Sequence, residues 1–210
     1  MKNYIHFAFI HSDLPTVKSC LLDIFEKREV RVSYGPNKID VSYAKDSNEI
    51  FKLCVLDLKR GCSVGFFPKV CKLQIWKPVG SHGVVLFGGR FIGMEDIVET
   101  LNRNYDLECA YATFTLDMSV LEGQLRQFIY HQKERKWRVV LVERNPRWGF
   151  FEYGVPLPFE QLEKYSERMI KKRLTNEMLL DYLLALGWDL RSPDFWKSDG
   201  DTCYFEWDAW

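Results

Sequence analysis

The chain has 210 residues, 47% of them hydrophobic and 15% aromatic, with 29 basic and 29 acidic side chains and a formal net charge of zero. At this length a chain buries about 70% of its unfolded surface, so it makes a true apolar core without staples. The charge balance argues against a nucleic-acid binder, which relies on a basic excess to neutralise phosphates.

Tyr4 to Ile10 reads as a strand. Asp13 is placed to cap a helix over Leu14 to Lys27, where Leu14, Val17, Leu21, Ile24 and Phe25 recur at helical spacing and Pro15 fits the first turn. Glu29 to Tyr34 and Lys38 to Tyr43 alternate in strand fashion about Gly35-Pro36-Asn37, which reads as a hairpin. Further strands are expected at Ile50 to Leu58, Cys62 to Pro68 and Cys71 to Trp76, followed by a break at Lys77-Pro78-Val79-Gly80.

Beyond the break, Val84 to Phe87 reads as a short buried strand, Met94 to Asn104 as a helix and Cys109 to Leu116 as a strand. Leu125 to His131, Trp137 to Glu143 and Gly149 to Val155 form an antiparallel meander. A helix is expected over Pro158 to Lys172, with Phe159, Leu162, Tyr165 and Met169 on one side. Thr175 caps a second helix through Leu186, and Gly187 ends it. Many strands with no regular βαβ alternation predict an α+β fold with antiparallel sheets. The break allows two parts, 1–76 and 77–210, or one continuous domain.

Six cysteines, Cys20, Cys54, Cys62, Cys71, Cys109 and Cys203, are read as free thiols of a reducing cytoplasm. The N-terminal segment lacks the long apolar core of a signal peptide, and no run approaches the length of a membrane span. With no Cys-x-x-Cys pair and no His pair at helical spacing, no metal site is expected. The Gly83 to Gly93 run lies between strand and helix, but Met94 stands where a phosphate loop needs Lys. It reads better as a turn with a close backbone approach. No nucleophile elbow is present, and the adjacent pairs His11-Ser12 and Ser81-His82 carry no weight as catalytic partners. No cofactor is called for, and binding is favoured over catalysis.

The segment Ser192 to Trp210 sets Asp194, Asp199, Asp201, Glu206 and Asp208 against a single base, Lys197. Trp196, Tyr204, Phe205, Trp207 and Trp210 are interspersed. Aromatics anchor interfaces and acids complement a basic partner, so Trp196, Asp199, Asp201, Tyr204, Glu206, Trp207, Asp208 and Trp210 are the candidate partner-binding residues. The plainer alternative is a final edge strand with one face in the core and one in water.

Three stretches carry a resemblance. They are Leu73-Gln-Ile-Trp-Lys-Pro-Val-Gly80, Trp137 through Glu160 with its Arg-Trp-Gly-Phe-Phe-Glu-Tyr-Gly core, and Tyr165 through Arg173. Together they cover less than half of the chain and are similar to bacterial immunity proteins of polymorphic, Rhs-type toxin systems. The resemblance implies a cytoplasmic monomer that binds a cognate secreted toxin one-to-one and covers its active site, as in competition through type VI secretion. An ADP-ribosyltransferase is the toxin class it suggests, and the N-terminal part, least like that group, is where specificity would lie. An enzyme with an unfamiliar site and a general adaptor are the rival classes.

Overall fold

The computed structural model describes residues 4–26, 29–35, 39–42, 52–55, 70–88, 93–115 and 124–208. Eleven strands and four α-helices are described: β1 (Tyr4–Ile10), α1 (Leu14–Ile24), β2 (Val30–Gly35), β3 (Ile39–Ser42), β4 (Lys52–Val55), β5 (Val70–Trp76), β6 (Val84–Gly88), α2 (Met94–Tyr105), β7 (Cys109–Thr115), β8 (Leu125–His131), β9 (Trp137–Arg144), β10 (Trp148–Tyr153), α3 (Leu162–Tyr165), α4 (Asn176–Ala185) and β11 (Thr202–Asp208). Nine strands form one antiparallel sheet in the order β10-β9-β8-β7-β1-β6-β5-β11-β2, and β3 pairs with β4 separately. The fold is α+β. Strands from both sides of the Lys77–Gly80 break interleave in the one large sheet.

Both faces of the sheet centre are covered, so β1, β6 and β7 are apolar on both sides and read as nearly continuous hydrophobic runs. On one face α1 and α2 pack Val17, Leu21, Ile97, Val98 and Leu101 over Ile10, Leu73, Leu86 and Phe205. On the other, the segment from Leu157 to Trp196 covers Phe7, Phe9, Phe114, Phe128 and Val140. Cys20, Cys71, Cys109 and Cys203 are buried thiols of the α1–α2 face.

The helix caps follow the sequence. Asp13 accepts from the Thr16 N–H at 2.8 Å, and Thr175 accepts from the Met178 N–H at 3.2 Å. Gly83 is the close approach expected of the glycine run, since a Cβ there would lie 2.3 Å from the Ile10 carbonyl oxygen and 2.6 Å from the Trp188 ring.

Three expectations are corrected. Residues 29–34 and 38–43 do not make a shared hairpin: β2 pairs with β11 and β3 with β4, in different sheets. The helix over 158–172 is broken into α3 and a 3₁₀ turn, Ile170–Lys172. The start is delayed to Leu162 because the Glu160 carboxylate folds back to accept the Leu157 N–H at 2.8 Å and Gln161 is non-helical at φ −89°, ψ 72°, and the break falls before Ile170, where Met169 is extended at φ −85°, ψ 104°. The last strand is not an edge, because β11 runs between β5 and β2. The strand expected at Cys62 to Pro68 and the turn residues Pro36 and Asn37 lie outside the described residues.

Candidate protein-binding surface

β9 and β10 form a hairpin whose side chains alternate between two very different environments. Arg138, Val140 and Val142, with Trp148, Phe150 and Glu152 opposite, face the C-terminal segment. Trp137, Val139 and Leu141, with Tyr153 and Phe151, face the other way.

The inward side is a closed polar lock. The Arg138 side chain is 2% exposed and that of Glu160 0%. Arg138 Nε donates to Glu160 Oε1 at 2.9 Å, and Nη2 donates to Glu160 Oε2 and Glu152 Oε2, both at 2.7 Å. Nη1 donates to the carbonyls of Tyr153 and Gly154, both at 3.2 Å. Tyr165 Oη donates to Glu160 Oε2 at 2.8 Å and lies 3.0 Å from Tyr182 Oη. Burial alone would lower the Arg138 pKa, but the carboxylates of Glu160 and Glu152 outweigh it and hold the guanidinium charged. Burial, then the neighbouring Tyr182, pushes the Tyr165 phenol well up, so it stays a donor. The whole arrangement fastens the C-terminal segment to the sheet and presents no open chemistry.

The outward side is open. α1 and α2 cover the central strands, and the apolar cluster beneath them reaches only to Ile129 and Val139. Farther out, Trp137 is 47% exposed, and Phe151 and Tyr153 each 52%. The Trp137 ring lies 5.3 Å from Tyr153 and stacks on His131 at 6.0 Å. Among the described strands β10 is also at one end of the sheet. Half-exposed aromatics clustered on a strand at the end of a sheet are features of a contact surface. The sequence holds one signal for them: Phe150 and Phe151 are adjacent in a strand and must face opposite sides.

The aromatic anchors expected in the tail lie elsewhere. Trp196 is 6% exposed and Trp207 2%, both packed into the cores, so neither is a surface anchor. Trp196 Nε1 donates to the Leu190 carbonyl at 3.0 Å, and its ring packs edge-on against Phe195 and Phe7. Tyr204 and Glu206 are half-buried, Asp199, Asp201 and Asp208 are exposed, and Trp210 lies outside the described residues. The tail acids meet bases from elsewhere in the chain. Glu206 pairs with Lys72 at 2.9 Å, Asp199 with Lys77 at 3.0 Å and Asp208 with Arg31 at 3.7 Å. The acidic character of this segment in sequence is therefore largely cancelled in space.

A smaller polar cluster sits beside α2. Burial raises the Glu95 pKa, opposed by a hydrogen bond with Gln127. Tyr111, also bonded to Glu95, is pushed up by burial, and its ring lies 5.7 Å from His6. On the opposite layer a shallow groove of about 370 Å³ is lined by alternating charges, Lys164, Glu167, Lys172, Glu177 and Asp181 among them. Among the described residues no group of three or more His, Cys, Asp or Glu is placed to hold a metal ion, and no helix is long and apolar enough to cross a membrane. Compared with protein-family models, with curated proteins and with solved structures, the chain matches none.

Proposed function

We propose that this protein is an immunity protein, which binds a cognate antibacterial toxin domain in the cytoplasm and covers its active site. The observation that carries the reading is the open aromatic face of β9–β10, where Trp137, Phe151 and Tyr153 stand about half exposed on a rigid sheet. Rigid aromatics on a scaffold lose little conformational entropy on binding and supply most of the energy of a tight interface. The Trp137–Glu160 stretch that resembles immunity proteins builds both this face and the lock behind it. An ADP-ribosyltransferase of the Rhs type is the partner class that resemblance suggests, held in a complex with one copy of each chain.

The test is co-expression with the toxin domain encoded beside this gene, read by cell survival and co-purification. Rescue with a one-to-one complex that Phe151→Glu weakens supports the role and the surface. Absence of both rescue and complex removes the role for that pair. Rescue undiminished by Phe151→Glu moves the contact to another face.

An enzymatic reading has one observation in its favour, the Glu95 carboxyl, surface-exposed yet with a raised pKa, bonded to Tyr111, whose ring lies 5.7 Å from that of His6. Under that reading Glu95→Gln removes an activity. Under the binding reading the same change leaves protection of the cell intact.

A further inference from the structure

We propose that a second copy of this chain pairs along β10, extending the sheet across a two-fold axis. The inference does not depend on the identity of any toxin partner.

Among the described residues β10 has a neighbour on one side only, and none of them pairs with its outer backbone groups as a further strand. Natural edges are usually guarded by lysine, proline or a bulge. Trp148-Gly-Phe-Phe-Glu-Tyr153 carries no lysine or proline, and its single charge, Glu152, is taken up by Arg138 at 2.7 Å. The far edge differs: β2 presents Arg31, which stays exposed and pairs with Asp208. The formal net charge of zero offers no long-range repulsion between copies.

The strand is also complementary to itself. Directly opposed residues of an antiparallel pair share a face. With Phe151 opposite its own copy, Gly149 stands opposite Tyr153, so each ring lies over a residue without a side chain. Gly149 has the room, because a Cβ there would meet nothing nearer than Glu143 Cγ at 3.9 Å. The two Phe151 rings meet at the axis, with Tyr153 and Trp137 flanking them on the same face. Pairing two six-residue edges buries less than the roughly 800 Å² per partner of a tight complex, so the dimer is expected to form at micromolar concentrations. A toxin that uses the same face takes the place of the second copy.

Sedimentation equilibrium of the purified full chain from about 1 to 200 µM tests the proposal. A concentration-dependent monomer–dimer equilibrium is expected for the wild type. Phe151→Lys, which brings two like charges together on the axis, should weaken it by more than about tenfold at unchanged circular dichroism and Tm. Phe151→Cys should give a covalent dimer under mild oxidation, with the wild type oxidised in parallel to account for its own six cysteines. A wild type that stays monomeric throughout, or a dimer whose strength Phe151→Lys leaves unchanged, overturns the pairing.

Discussion

The two faces of the β9–β10 hairpin are built from alternating residues of one short stretch, yet they do opposite work. Arg138 is almost fully buried and makes bonds through all three guanidinium nitrogens, while its neighbour Trp137 is nearly half in solvent. Phe150 packs against Tyr165 at 5.4 Å, while Phe151 is 52% exposed. The inward face holds the C-terminal segment on the sheet, and the outward face is left for contact. A period of two lets one strand stabilise with one set of residues and bind with the other.

That division can be broken from the inside. Arg138→Met leaves the Glu160 carboxylate buried without its cation, and a loss of about 3–5 kcal/mol is expected in urea unfolding. Adding Glu160→Leu should restore much of that loss, because the stranded charge is then gone. A loss no larger than that of an ordinary surface change would show that the lock does not hold the segment. Gly154→Ala should come next, at about 1–3 kcal/mol. Gly154 has φ +86°, and a Cβ there would lie 2.2 Å from the Trp137 carbonyl oxygen. Thermal unfolding of this variant reports how tightly the hairpin end is closed.

His131 sits where the covered and open parts of the outward face meet, and burial lowers its pKa, partly opposed by Glu99. The unfolded chain therefore takes up a proton at a higher pH than the folded chain. Stability should fall as pH drops below about 6.5, with a slope from this group of at most ~1.4 kcal/mol per pH unit. His131→Gln should flatten its share of the slope in stability curves measured between pH 5 and 8, and His11, which burial also lowers, contributes in the same direction. Glu206→Ala, on the solvent-facing side of β11, removes a partly exposed pair with Lys72 and should cost less than about 1 kcal/mol. Phe151→Ser should change stability least, within about 0.5 kcal/mol, while reducing both self-association and partner binding. A large stability loss there would mean that the outward face is structural as well.

Much of the fold was legible in the sequence. β1, β6, α2, β7 and the β8–β10 meander announce themselves through periodicity and length, and the α1 and α4 starts through Asp13 and Thr175, whose side chains cap as their positions imply. The misreadings share one cause, which is a partner distant in sequence. β2 looks like half of a hairpin because its neighbour β3 is close in the chain, but its hydrogen bonds go to β11 at the other end. The 158–172 helix has sound local spacing, but its start is displaced to Leu162, just past Glu160, whose carboxylate is claimed by Arg138, 22 residues earlier.

The candidate site was hidden for the same reason. Trp196 and Trp207 look like surface anchors in an acidic, aromatic tail, until the sheet places them in its two cores. The sequence by itself determined an antiparallel α+β chain, its main elements and the caps of α1 and α4, because these depend on interactions within a few residues. Only the tertiary structure decided which aromatics are anchors and which acids are matched, because burial and ion pairing depend on strands such as β5, β2 and β11 meeting across the length of the chain.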